Sequence, residues 1–266
     1  MLRFTKMEGL GNDYVYINCL KRTPDDLPDL ASYVSDRHFG VGADGLICIC
    51  PSERADIRMR MFNADGSEGE MCGNGIRCVG KYVYDKGLVS KTTLTVETLA
   101  GIKTLKLSLT EGVVSAVTVD MGKPVLGAST KIVVKGKNYT VYPASVGNPH
   151  AVIFLPEIEG LDLEDLGPRF ECHPIFPNRT NTEFVKILSR THLSMRVWER
   201  GSGETLACGT GACAALAVAS SLDMCRREAV VRLPGGELSI RWAEEDGHIY
   251  MTGPARTVFE GELTSK

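Results

Sequence analysis

The chain lacks any apolar run of the ~18–20 residues a helix needs to cross a bilayer, which argues against a helical membrane protein. The start, Met1-Leu2-Arg3-Phe4-Thr5-Lys6, carries no apolar core of the secretory kind, so the expectation is a cytoplasmic protein with no membrane partner. Neither sign of charge is in large excess, with 30 Lys and Arg against 33 Asp and Glu. A formal net charge of −3 gives no electrostatic reason to expect nucleic acid. No Cys-x-x-Cys occurs among the nine cysteines, and Cys48-x-Cys50 sits in an apolar, strand-like run. Structural zinc and a disulfide framework are therefore disfavoured. The reading is free thiols in a reducing compartment, with no metal.

What is present is the composition of an ordinary globular protein, 43% hydrophobic and 24% charged, in 266 residues that suffice for two domains. Met71-Cys72-Gly73-Asn74-Gly75 returns as Ala207-Cys208-Gly209-Thr210-Gly211, a separation of 136 residues. The same offset relates Gly11-Asn12 to Gly147-Asn148, Gly45 to Asn181, Met59-Arg60 to Met195-Arg196, and Glu68 to Glu204. Pairs held in register without net insertion indicate an internal duplication, and the period is far too long for a solenoid. The expected domains are 1–118, completed by a returning tail 255–266, and 119–254, with one cysteine from each at a cleft.

Each Cys-Gly motif opens a helix, over about 74–86 and 209–223. The second helix, Ala212-Cys213-Ala214-Ala215-Leu216-Ala217-Val218-Ala219, has no polar face and must be enclosed by other structure. Further helices are expected over 24–36 and 161–170. The remaining periodicity is mostly that of strands. The fold class is α+β: two pseudo-symmetric domains, each a curled, mostly antiparallel sheet around a central helix.

Free peptide N–H groups and the dipole at a helix start favour negative charge. A cysteine there is expected to have a lowered pKa and to serve as a base or nucleophile. The same N–H groups can bind a carboxylate or an oxyanion. Two such starts facing each other suit an epimerase: one thiolate removes a proton beside a carboxylate and the opposite thiol returns one. Asn12 and Asn148 share equivalent turns. Asn63 and Glu199 are equivalent, each nine residues before its cysteine. Arg200 beside Glu199 offers a cation and an anion to a zwitterionic amino acid. For each asparagine taken alone, turn formation is the better explanation. His150 could tune a thiol or simply pack. His38, His173, His192 and His248 show no ligand spacing.

With these residues in view, the sequence closely resembles diaminopimelate epimerases over essentially its whole length. The resemblance rests on Lys6-Met7-Glu8-Gly9-Leu10-Gly11-Asn12-Asp13, Phe62-Asn63-Ala64-Asp65-Gly66-Ser67, Cys72-Gly73-Asn74-Gly75, Gly147-Asn148-Pro149-His150, Trp198-Glu199-Arg200-Gly201, Gly203-Glu204-Thr205 and Cys208-Gly209-Thr210-Gly211. It implies a pyridoxal-independent, cofactor-free two-base epimerase interconverting LL- and meso-diaminopimelate in lysine and peptidoglycan-precursor synthesis, often as a homodimer. It implies Cys72 and Cys208 as the acid–base pair. Gly73, Asn74, Gly209 and Thr210 would hold the reacting carboxylate. Asn12, Asn63, Asn148, Asn181, Glu199 and Arg200 would hold the substrate, and His150 and Glu199 would influence thiol protonation. One departure is Gly45, where many relatives carry glutamine. The competing readings are a proline racemase-like enzyme, disfavoured by the polar distal residues, a non-catalytic amino-acid binder, disfavoured by the two helix-start cysteines in register, and a dithiol redox protein, which two cysteines also fit but which the absence of Cys-x-x-Cys disfavours.

Overall fold

A computed structural model describes residues 1–264, so Ser265 and Lys266 of the expected returning tail lie outside the described residues. The chain divides into two compact units, Met1–Val119 with the segment from Gly253, and Asp120–Thr252.

The first unit runs β1 (Leu2–Gly9), β2 (Asn12–Asn18), α1 (Leu27–Ser35), β3 (Gly45–Cys50), β4 (Ile57–Asn63), β5 (Glu68–Gly69), α2 (Gly73–Asp85), β6 (Thr93–Thr98), β7 (Gly101–Thr110) and β8 (Val113–Gly122). Neighbours β1–β2, β3–β4, β6–β7 and β7–β8 are antiparallel, while β2–β3 and β4–β6 are parallel. The second unit runs β9 (Val125–Leu126), β10 (Thr130–Val134), β11 (Lys137–Ser145), β12 (Pro149–Phe154), α3 (Leu163–Glu171), β13 (Asn181–Ser189), β14 (His192–Glu199), β15 (Gly203–Thr205), α4 (Gly209–Ser221), β16 (Glu228–Leu233), β17 (Gly236–Trp242) and β18 (Ile249–Gly253). Its ladder repeats the first: β11–β12 and β13–β14 antiparallel, β12–β13 and β14–β16 parallel. The last strand, β19 (Arg256–Leu263), returns to pair antiparallel with β1, Leu2 opposite Leu263 and Arg3 opposite Glu262.

Helices α1 and α3 begin and end 136 residues apart, and so do α2 and α4. Their caps repeat as well. Asp26 accepts from the Asp29 N–H at 3.0 Å, and Asp162 from the Asp165 N–H at 3.2 Å. The salt bridge Arg60–Glu68 is bidentate at 2.8 and 2.9 Å, and Arg196–Glu204 has the same two distances. The duplication seen in sequence is thus carried down to individual hydrogen bonds.

Each unit folds its strands around one helix. In α2, a Cβ at Gly80 would stand 2.9 Å from Leu105 on β7, and one at Gly75 would stand 2.7 Å from Ile47 on β3. Tyr16 on β2 donates its hydroxyl to the Gly75 carbonyl at 3.1 Å. Helix α4 is buried continuously from Gly211 to Ala219, as its all-apolar composition requires. The short helices cover the opposite sheet faces. In the first unit Leu27, Ala31 and Val34 join Val15, Ile17, Leu46, Cys48 and Phe62. In the second, Leu163 and Phe170 join Ile153, Phe184 and Trp198.

Three helix boundaries differ from the sequence reading by two residues or more, the start of α3 among them, at Leu163 and not at Leu161. Helix α1 starts at Leu27 and not at Pro24, because Asp26 is the cap and Pro28 takes the first turn, where its missing N–H costs nothing. Helix α4 stops at Ser221, since Asp223 turns to φ 54. No helix among the described residues is long and apolar enough to cross a membrane.

Candidate active site

In the first unit the site begins with a hairpin turn. Leu10 and Gly11 both take positive φ, 60 and 84 degrees, the geometry of a tight two-residue connection between β1 and β2. The turn delivers Asn12 at the start of β2. Its amide nitrogen donates to Asp44 Oδ2 at 2.8 Å, which leaves its oxygen to accept from Cys72 Sγ at 3.1 Å. Asp44 Oδ2 also accepts the Asp13 N–H at 3.1 Å, and burial pushes the Asp44 carboxyl above the usual carboxylate range. Cys72 is the cap residue of α2, with extended backbone at φ −122, ψ 120, and its sulfur accepts the Gly75 N–H at 3.3 Å. Gly73 and Asn74 form the buried first turn, and Asn74 Oδ1 accepts from Arg77 Nη1 at 3.0 Å.

Asn63 and Gly45 sit opposite each other on β4 and β3. The Asn63 side chain is exposed and donates to Ser67 Oγ at 3.0 Å. Gly45 has no room for a side chain: a Cβ there would lie 2.1 Å from the Phe62 carbonyl oxygen and 2.8 Å from the Tyr14 ring. The buried Tyr14 lies within electrostatic and hydrogen-bonding reach of Cys72 and Asn12, and burial first, then Cys72, pushes its phenol well above its ordinary pKa.

In the second unit Gly147, at φ 97, turns the chain into Asn148 and β12. His150, 1% exposed, is held at both ring nitrogens: Nδ1 lies 2.7 Å from Glu183 Oε1, and Nε2 lies 2.9 Å from Asn148 Oδ1. Asn181 is a brace whose polar atoms are both used on backbone. It donates to the Pro149 carbonyl at 2.8 Å and accepts the Arg200 N–H at 2.9 Å. The guanidinium of Arg200 turns to the Asn178 carbonyl at 3.1 Å, and no Glu199–Arg200 ion pair forms among the described residues. Instead Glu199 accepts from Thr205 Oγ1 at 2.6 Å, and burial raises its pKa. Arg200, Asn148, Asn178, Gly147, Pro149 and Ser145 line an open hollow of about 640 Å³.

Cys208 caps α4 with backbone at φ −117, ψ 111, close to that of Cys72. Gly209 is buried behind it, and Thr210 Oγ1 lies 3.5 Å from its sulfur. The expectation that a helix start lowers the thiol pKa is corrected here. Desolvation, followed by the carboxylates of Glu199 and Glu183, pushes Cys208 well above the ordinary thiol value and outweighs the helix-start groups.

Side chains central to this geometry were not picked out from sequence. Glu183 and Glu171 are the main ones. Glu171, at the end of α3, accepts from Trp198 Nε1 at 2.7 Å and from the Gly201 N–H at 2.9 Å, and pairs with Arg179, so it fixes the turn that carries Arg200. The available signal for Glu183 was a charged residue inside the apolar run Thr182-Glu183-Phe184-Val185, since a carboxylate is rarely buried without a partner.

The sequence profile of the diaminopimelate epimerase family matches residues 4–127 and 142–258. A diaminopimelate epimerase of Acetivibrio thermocellus is 53% identical over 275 residues, covering 98% of both chains. One of Desulfovibrio desulfuricans is 55% identical over 281 residues, again covering 98% of both. Among solved structures, a PhzF-family phenazine biosynthesis protein of Bacillus anthracis aligns with a TM-score of 0.74 at 18% identity over 99% of both chains. A probable proline racemase of Agrobacterium radiobacter aligns at 0.73 and 15% identity, over 100% of this chain and 94% of that one. At such identity these structures speak for the shared α+β fold alone. Near-complete coverage at more than half identity, together with the profile match, settles the family: the chain belongs to the diaminopimelate epimerases.

Proposed function

We propose that this protein is a cofactor-independent epimerase that interconverts LL- and meso-diaminopimelate, with Cys72 and Cys208 as its acid–base pair, in the lysine branch of a cytoplasmic amino-acid metabolism. The observation that carries the reading is the pair of helix-capping cysteines, in register by 136 residues, in a chain more than half identical to enzymes of that name. Inversion at an α-carbon needs a base on one face and an acid on the other. One thiolate takes the α-proton, leaving an enolate-like carboxylate. The other thiol gives its proton to the opposite face, and the product leaves with the protonation of the two sulfurs exchanged. A positioned acid or base typically contributes ~10²–10⁴ in rate. The rest falls to backbone N–H groups at the two helix starts, at Gly73-Asn74 and Gly209-Thr210, which meet the developing negative charge already oriented.

The remaining contacts divide by character. Asn12 holds Cys72 by hydrogen bond. Asn63, Asn148, Glu199 and Arg200 supply the polar groups for the distal amino-acid end, and His150 and Glu199 bias thiol protonation. Since Asn181 spends its amide on the Pro149 and Arg200 backbone, its role is to place Arg200. A homodimer is the assembly we propose.

The test is incubation of the reduced protein with LL-diaminopimelate in D₂O without pyridoxal phosphate. Deuterium at one α-carbon, read by mass spectrometry, together with meso product on a chiral column, is expected. Folded, reduced protein that neither exchanges nor epimerises this substrate would overturn the assignment, and proline serves as the comparison substrate.

A further inference from the structure

The internal duplication supplies its own control. Position for position, Gly75 in α2 corresponds to Gly211 in α4, and Ile47 on β3 corresponds to Glu183 on β13. In the first unit a Cβ at Gly75 would stand 2.7 Å from the apolar Ile47 Cδ1. In the second, a Cβ at Gly211 would stand 2.7 Å from Glu183 Oε1 and 3.3 Å from Cys208 Sγ. The same niche under a catalytic helix start holds a methyl group in one half and a carboxylate in the other. Glu183 has no exposed surface, and its Oε2 is buried without a hydrogen-bond partner. Leaving such an oxygen unpaired is costly, so a buried glutamate placed where its equivalent is isoleucine calls for a functional account.

Titratable groups converge here from three of the strands packed on α4 and from the helix itself: His150 from β12, Glu183 from β13, Glu199 from β14, and Cys208 from the start of α4. A carboxylate only accepts, so the 2.7 Å contact places a proton on His150 Nδ1, and a neutral ring then pairs at Nε2 with the Asn148 side chain only through that amide's nitrogen.

We propose that Glu183 is a positioning residue for proton transfer at Cys208: it locks His150 through Nδ1 and, as a buried anion beside the α4 start, keeps Cys208 a protonated donor until substrate arrives. The proposal deepens the two-thiol reading above and rests on it for its meaning in catalysis. The Cys72 niche holds isoleucine where this carboxylate stands, so the two thiols of the resting protein are chemically unequal although their helices are equivalent.

The test is the pH dependence of alkylation at each cysteine of the full-length, reduced protein, using iodoacetamide and peptide mass spectrometry. Burial slows every rate at Cys208 but leaves the midpoint of its pH profile readable. Glu183→Gln is expected to move the Cys208 midpoint down by about one pH unit, close to a tenfold faster reaction below the midpoint, with the Cys72 profile unmoved. Glu183→Asp, which retains the charge, is expected to restore a profile near that of the wild type. A folded Glu183→Gln protein with an unshifted Cys208 midpoint overturns the proposal, as does an equal shift at both cysteines. Should Glu183→Gln fail to fold, ¹⁵N-edited spectra of the wild-type histidines decide the matter. The His150 proton is expected on Nδ1, facing Glu183, and an unprotonated Nδ1 overturns the proposal. Alkylation reads thiol protonation without turnover, so these outcomes stand apart from the deuterium experiment that judges the reaction itself.

Discussion

At the scale of single residues, the proposed two-thiol mechanism rests on Cys72 and Cys208 and on the neighbours that bias their protonation. Cys72→Ser or Cys208→Ser is expected to lower epimerisation by at least two orders of magnitude, on the scale of a lost acid–base group, while circular dichroism stays native. Full activity in either variant would sink the two-thiol mechanism. Glu199 gives a prediction of the opposite kind. Burial raises its pKa, so folding favours the neutral carboxyl. The stability this lends is fully present below the ordinary glutamate value and is lost as pH rises through the raised one. Glu199→Gln is therefore expected to raise the Tm more at pH 8 than at pH 5 while reducing activity, a trade that thermal melts at the two pH values would expose. The cysteines, asparagines and His150 were legible in sequence because short motifs carry them. Glu183 was not, because its meeting with His150 depends on the parallel pairing of β12 with β13, a contact across 33 positions that no local pattern records.

At the scale of elements, the two units solve one packing problem with exchanged volumes. Ala31 in α1 shares a core with Phe62, while at the equivalent places Gly167 in α3 lies against Trp198. A Cβ at Gly167 would come within 2.1 Å of the indole, so the larger ring is accommodated only by the missing methyl. Gly167→Ala is expected to destabilise the second unit by about 1–3 kcal/mol through overpacking, measured by urea denaturation. Adding Trp198→Phe, which recreates the Ala31–Phe62 pairing, is expected to recover part of that loss. No recovery would mean that the two cores are not equivalent in their energetics. Helix existence was readable from apolar periodicity and, for α4, from the absence of any polar face. The start of α1 was less so, since Pro24 and Asp25 imitate a helix start that Asp26 and Pro28 provide three residues later.

At the scale of the molecule, the first unit is discontinuous in sequence: it opens with β1 and is finished by β19, some 250 residues later. The joint is substantial. Phe4 meets Phe259 edge to face at 5.9 Å, Gly261 lets its backbone approach the Phe4 ring, and Arg77 in α2 donates to the Pro254 carbonyl at 3.1 Å. Truncation after Gly253 is expected to raise hydrogen exchange in β1, β2 and α2 while β13 and α4 keep their protection. Uniform loss of protection in both units would show that they do not fold independently. The 136-residue offset made the duplication visible, but the return of the tail to β1 was only suggested by symmetry, because strand pairing at that distance leaves no trace in local composition. The same arrangement sets an order on synthesis. On the ribosome the second half, contiguous in the chain, has all of its strands before the first half has its last one. Until β19 emerges, β1 is a bare edge with β2 on one side only, open to pairing with another nascent chain. The half that is translated first is completed last, and the hazard in expressing this protein lies at its beginning, waiting for its end.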